Sequence, residues 1–346
     1  MSRYRGQDMP VIGRHHSRGM FVGVVGMMIL ALTLAACAAN TSKTSASASP
    51  SAPTQVRIAV DSFALGSQMW VAKSQGYFAA ENITVVPQTY QTGVAAAQAV
   101  IAGQADLAPV LDFAALSVLS NNIRILGAIA EPQPGFHKLA VRASFTGPSD
   151  LKGKKIGYVP GTAEAYITTK YVAQNNLQGS VTLVPLPSLF ELVGALKTGQ
   201  IAAGWVWANG VTQVKQDKNL KIAANDSIVP HTDSIFLIAR TTYAQQNAAV
   251  ITRVLRAFDK ASTFINANTQ QAAQIIASSE QGDASTLAVV LPAQGFGLGM
   301  TAPQMAALQA IAQFMVKAGK LQLPQSLATY FDLQPMRNAV PSKVTL

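Results

Sequence analysis

The chain has 346 residues, of which 49% are hydrophobic and only 12% charged, enough apolar material for about two domains and too much for a disordered chain. The formal net charge of +10 falls to +7 once residues 1–36 are set aside with Arg3, Arg5, Arg14, Arg18 and Asp8, and only Lys152, Lys154 and Lys155 crowd together, too sparse a patch for nucleic-acid binding. Cys37 is the single cysteine, which excludes an intramolecular disulfide, a CxxC redox pair and any multi-cysteine zinc site.

Residues 20–36, MFVGVVGMMILALTLAA, form an uncharged run preceded by Arg14, His15, His16 and Arg18, the basic-then-apolar order of a secretory signal. The run closes on Leu34-Ala35-Ala36-Cys37, which resembles the lipobox of bacterial lipoproteins and implies cleavage before Cys37 and a lipid on its thiol. The other reading is an uncleaved transmembrane helix with an incidental cysteine. The long stretch ahead of the run raises Met9 as an alternative start. Residues 38–54, AANTSKTSASASPSAPT, hold nothing to bury and read as a tether reaching roughly 20 to 25 Å.

From there strands and helices alternate. Strands are expected at Val56–Val60, Ile83–Pro87, Ala105–Pro109 and Ile123–Ala130, with helices opening at Ser67, Gly93 and Phe113. A new unit begins near Asp150, with strands at Lys154–Val159, Val181–Leu186 and Ala202–Val206 and helices at Thr162–Asn175 and Leu189–Thr198. After a strand at Ile235–Ala239, amphipathic helices take over at Asn247–Asn266, Thr269–Ser278 and Pro303–Ala318. This alternation predicts an α/β fold with parallel-rich sheets flanked by helices.

The segments GYFAAENITVV (76–86), QAVIAGQADLA (98–108), DLKGKKIGYVPGTA (150–163) and TGQIAAGWVW (198–207), with VLRAFDKASTFINANTQQAAQIIA (254–277) and MVKAGKLQLP (315–324), resemble the successive signature segments of the SsuA-like solute-binding proteins. Those serve transporters for nitrate, taurine, alkanesulfonates and the thiamine pyrimidine precursor. The resemblance implies a two-lobed, type II periplasmic-binding fold: a signal peptide at 1–36, a lipidated cysteine and tether at 37–54, lobe 1 at 55–145, lobe 2 at 146–235, and a return to lobe 1 with a helical C-terminal segment at 236–346. The crossovers are expected near Val141–Gly147 and His231–Arg240. A small solute, an ABC transporter permease and the membrane, through the lipid on Cys37, are the implied partners of a monomer at the extracytoplasmic face, in a Gram-positive or Gram-negative host. A sensor lipoprotein reporting a ligand to a membrane partner is the alternative.

In open α/β sheets ligands sit beyond the carboxyl ends of the strands, so the candidate binding residues are Asp61, Ser62 and Phe63, then Gln91, Thr92 and Gly93, then Asp112, then Gly161 and Thr162, then Trp207 and Asn209. Gly161-Thr162 before a helix could present backbone N–H groups to an anion, or Thr162 could simply cap that helix. Glu164 in the first turn already complements the dipole, and Asp61 and Asp112 would repel an anion and attract an amine or a heterocyclic N–H. A sulfonate or nitrate and a planar nitrogen heterocycle both stay open as ligands. Trp207 aligns with the tryptophan of a W-D-P segment in the sulfonate group, with Ala208-Asn209 in place of Asp-Pro.

No catalytic set, metal site or cofactor is expected. Of His137 and His231, only His231 has an acid close in sequence, Asp233, and there is no HExxH. A branch of the superfamily that makes the thiamine pyrimidine uses a histidine and a cysteine-rich motif that this chain lacks. The glycines of Gly295-Phe296-Gly297-Leu298-Gly299 miss the dinucleotide spacing.

Overall fold

The computed structural model describes residues 52–61, 65–229, 233–280 and 282–346. The expected signal, Cys37, residues 38–51 of the tether, Ser62, Phe63 and His231 lie outside the described residues, and Thr54, expected to end the tether, instead begins the first strand.

Four strands come first: β1 (Thr54–Asp61), β2 (Ile83–Tyr90), β3 (Leu107–Leu111) and β4 (Ile123–Ala130), connected by helices α1 (Ser67–Ser74), α2 (Tyr77–Ala80), α3 (Gly93–Ile101) and α4 (Asp112–Ser117). A second group follows: β5 (Lys138–Arg142), β6 (Lys155–Tyr158), α5 (Ala163–Gln174), β7 (Thr182–Pro185), α6 (Leu189–Thr198), β8 (Ala203–Val206), α7 (Ala208–Lys215) and β9 (Leu220–Asn225). The chain then returns through β10 (Ile235–Arg240), α8 (Thr241–Gln246), α9 (Ala248–Ala267), α10 (Thr269–Glu280), α11 (Ala284–Val290), β11 (Phe296–Gly299), α12 (Ala302–Lys317) and α13 (Gln334–Ala339).

The strands form two sheets, six-stranded in the order β11-β4-β10-β3-β1-β2 and five-stranded in the order β7-β6-β8-β5-β9. In each, the strand that arrives from the other lobe runs antiparallel to its neighbours: β10 against β3 and β4, and β5 against β8 and β9. The rest of each inner sheet is parallel, β1 with β2 and β3, and β6 with β7 and β8. That polarity sends the carboxyl ends of β1, β2 and β3, and those of β6, β7 and β8, to one edge of their respective sheets.

Local sequence accounts for these elements. β4, IRILGAIA, is apolar almost throughout and buried along its length, as a strand covered on both faces must be. α9 buries Ile251, Val254, Leu255, Phe258, Ala261 and Ile265, spaced at three and four residues so that one stripe faces the sheet. Asp106 ties β1 to the turn before β3, accepting from the Arg57 backbone N–H at 2.8 Å and from its guanidinium at 2.6 Å. This fixes the strand that ends in Asp61.

The crossovers differ from expectation. Lys138–Arg142 is a strand of the second sheet, so the first crossover is residues 131–137, ahead of Val141–Gly147. Turn residues flank this strand on both sides, Pro132, Pro134 and Gly135 before it and Thr146-Gly147-Pro148 after it, and only strand pairing decides which of the two turns is the crossover. The return crossover spans residues 226–234, and β10 already belongs to the first sheet. The glycine-rich 295–299 segment is an edge strand on β4. Its first glycine has φ +56°, and a Cβ there would sit 2.1 Å from the Glu131 carbonyl oxygen, so glycine lets this strand touch the first crossover.

Candidate functional site

Lobe 1 brings three strand ends together. β1 ends in Asp61, 6% exposed. β2 runs into Gln91-Thr92, and the Thr92 hydroxyl accepts from the Ala95 N–H at 3.1 Å, capping α3. The Asp61 carboxylate lies against the start of this helix, since a methyl added at Gly93 would be 3.9 Å from its Oδ2. β3 ends in Leu111, and Asp112 opens α4 with its carboxylate accepting from the Phe113 N–H at 2.6 Å.

Lobe 2 supplies the opposite wall. After β6 the chain turns at Gly161, whose φ of +77° is strained for any residue with a Cβ and whose hydrogen-only side faces Val94 of lobe 1. Thr162 does not cap α5, because its hydroxyl donates to the Val159 carbonyl at 2.8 Å instead. After β7, Ser188 caps α6 by accepting from the Glu191 N–H at 3.2 Å, and Phe190 stands 76% exposed on the first turn. Trp207 follows β8 and opens α7.

Between these walls lies a cavity of about 300 Å³, of a size suited to one small molecule. Asp61, Gln91, Thr92 and Gly93 line it from lobe 1, and Gly161, Thr162 and Trp207 from lobe 2. Asp112 and Asn209 are not on its wall: Asp112 is buried in the first turn of α4 and Asn209 is exposed on α7. Phe136, His137, Glu164, Ser188 and Phe190 line it as well. Of these, Glu164 stood out in the sequence as a charge complementing the α5 dipole, and His137 was named there only as a histidine without an acid close in sequence. A larger hollow of about 540 Å³ is bounded by residues 135–138, α7 and α11, but no parallel-strand carboxyl end opens into it.

His137 and Glu164 on the cavity wall belong to a buried ionic cluster. His137, 1% exposed, ends the first crossover; its Nδ1 faces Glu164 Oε1 of α5 at 2.6 Å, and its Nε2 bonds to Asp233 of the return crossover. Asp226 accepts from the N–H groups of both Gly135 and His137. Burial opposes charge on the imidazole, yet the Coulombic pull of Asp233 and then Glu164, with a hydrogen bond to each, outweighs it and holds His137 well above the usual histidine range. Asp233, two residues after His231 in sequence, is thus a partner of His137, because the two crossovers meet there. That pairing is invisible at a separation of 96 residues.

Among the described residues His137, Asp226 and Asp233 are the one set whose potential metal-ligating atoms lie within 4.8 Å of one another. Both ring nitrogens already face carboxylates and both Asp226 oxygens accept backbone N–H groups, so the cluster is built to join the crossovers rather than to hold an ion.

No helix among the described residues is long and apolar enough to cross a membrane. A binding protein of Brucella abortus (strain 2308) is 24% identical over 223 residues, covering 63% of this chain and 68% of that protein. The crystal structure of the periplasmic aliphatic sulphonate binding protein SsuA from Escherichia coli has a TM-score of 0.70 at 18% identity, covering 80% of this chain and 97% of that one. The periplasmic nitrate-binding protein NrtA from Synechocystis PCC 6803 has a TM-score of 0.64 at 14% identity, covering 84% of this chain and 89% of that one. The fold is therefore that of the periplasmic binding proteins. The model of the family described as NMT1/THI5 like matches residues 67–272, more than half of the chain, and the chain belongs to that family.

Proposed function

We propose that this protein is a lipid-anchored extracytoplasmic solute-binding protein that captures a small molecule in the cleft and hands it to an ABC transporter permease. The observation that carries this reading is the cavity of about 300 Å³ walled by strand ends of both sheets. A ligand touching both walls favours the closed arrangement of the lobes, the signal a permease would read. Capture fits the cleft better than catalysis. Both nitrogens of its histidine are engaged by carboxylates, leaving no ring nitrogen to take a proton from a substrate. Cys37 after Leu34-Ala35-Ala36 supports anchoring, and a lipidated N-terminus with a polar tether would keep the binding unit within reach of a membrane partner.

The test is ligand-dependent stability of the full chain in detergent, against taurine, alkanesulfonates, nitrate, hydroxymethylpyrimidine, thiamine and riboflavin. A ligand at about 100 times its Kd adds roughly 2.7 kcal/mol, a shift of several degrees. The hit should then be taken up by cells only while both this protein and its permease are present. Binding without any dependence of uptake on the protein would refute delivery.

A further inference from the structure

The larger hollow, of about 540 Å³, is distinct from the solute cleft, and among the described residues Phe136 alone lines both. We infer that the hollow is a second ligand site, for a small organic acid whose carboxylate is held by Lys138 and Asn225 and whose apolar body lies against Val211 of lobe 2 and Val289 of lobe 1. It stands apart from capture in the cleft and does not depend on it.

Two donors meet over Gly135, on the wall of the hollow. Lys138 Nζ and Asn225 Nδ2 stand 3.6 and 3.7 Å from the point that a Cβ at Gly135 would occupy. Its φ of +102° lies in the range that favours glycine, so no side chain fills the space beside the two nitrogens. The Asn225 amide has a fixed orientation, because its Oδ1 accepts from the Ser227 N–H at 3.0 Å and from the Ser227 hydroxyl. Neither Lys138 Nζ nor Asn225 Nδ2 has a hydrogen-bond or ion-pair partner among the described residues. Lys138 is half-buried and offers three donors and no acceptor; a carboxylate answers it with charge-assisted bonds and takes the neighbouring amide N–H as well. The acids beside these walls are already engaged. Asp226 accepts from the Gly135 and His137 N–H groups, and Asp283 from the N–H and hydroxyl groups of Ser285 and Thr286.

The rest of the wall suits the body of such a molecule. Phe136, Val211, Val289, Val290 and Ala293 supply apolar surface, and Val289 is 78% exposed, so its side chain has area to lose on contact with a ligand. Lys215, exposed on α7, adds a second ammonium to the wall. The volume falls in the range of small-molecule pockets.

The walls come from different lobes. β5 and α7 belong to lobe 2, whereas α11 and residues 291–294 belong to the chain that has returned to lobe 1. α11 buries none of its side chains. A molecule resting against Val211 and Val289 gives this helix apolar cover it otherwise lacks and ties the two lobes together outside the cleft.

The experiment is equilibrium dialysis of the full chain in detergent, with detergent alone as the blank, against benzoate, phenylacetate, 3-phenylpropionate and hexanoate, each paired with its primary amide. Retention of at least one acid in preference to its amide is expected. Lys138→Met should weaken it about tenfold to a hundredfold, and Asn225→Asp, which keeps the acceptor for the Ser227 N–H, by a similar factor. Both variants should unfold in urea at a midpoint near that of the wild type, and Lys138→Arg should largely keep the acid. Hydrogen exchange with the retained acid present should slow in both α7 and α11. Retention of none of the acids, or of acid and amide alike, overturns the inference. Retention unchanged by Lys138→Met and Asn225→Asp puts the acid elsewhere, the cleft included, and overturns it as well. Slowed exchange confined to one lobe overturns the bridging of the two.

Discussion

Replacing His137 with Gln is the sharpest test of how the cleft is built. The imidazole is 1% exposed and stands between Glu164 and Asp233, 2% and 3% exposed, so the change removes the imidazolium that bridges two buried carboxylates. Breaking a buried ion pair from one side costs about 3–5 kcal/mol, and here one ring serves two pairs. With a urea slope of about 3 kcal/mol/M, the midpoint should drop by about 1–1.7 M. The pH profile separates this from simple loss of packing. The folded-state pKa of His137 is raised above its ordinary 6.5, so its contribution is complete below about 6.5 and is lost as pH rises through the folded value. Urea melts at pH 6, 7.5 and 9 should therefore show the wild type losing stability toward alkaline pH, with the variant less stable at pH 6 and less sensitive to pH. The groups that set this are Glu164 on α5, Asp233 and Asp226 on the return crossover, and the Phe136 ring, edge-on at 4.9 Å. A variant as stable as wild type at pH 6, or one keeping the full alkaline loss, would refute the argument.

Three further outcomes follow from particular residues. Gly161→Val should lower stability by about 1–2 kcal/mol, since φ of +77° is left-handed, and should weaken ligand binding by crowding Val94; an unchanged melting temperature would contradict the first part. Phe190→Ala should leave stability within about 0.5 kcal/mol, because the ring is largely exposed, while reducing ligand affinity in calorimetry; a drop in both would mean the ring packs in the free protein. Cys37→Ser should move the protein from the membrane pellet to the wash fraction, whereas continued pelleting after alkaline carbonate would favour an uncleaved helix.

Much of the architecture is legible in the residues themselves. Periodicity and caps mark β4 at Ile123–Ala130, α6 at Leu189–Thr198 and α3 at Gly93–Ile101 with the bounds they have in the structure. These signals are local: an apolar run, a Ser or Thr N-cap, a glycine after the last turn. The order of the signature segments points to two lobes, and strand ends followed by helix starts indicate where a ligand would sit, which is why Asp61, Thr92, Gly161 and Trp207 could be named from the chain alone. What sequence did not reveal depends on which distant segments meet. Pro132, Pro134 and Gly135 mark a break before β5, but a similar break follows it at Gly147-Pro148, and only its pairing with β8 and β9 assigns it to lobe 2. The His137 cluster draws on residues 137, 164, 226 and 233, and nothing in the local pattern around any one of them sets it apart from a turn or a helix cap. The composition gives the whole chain a positive net charge, yet the described residues of the cleft wall include Asp61 and Glu164 and neither Lys nor Arg, because side-chain charge adds up over the surface a fold encloses and not along the chain that encloses it.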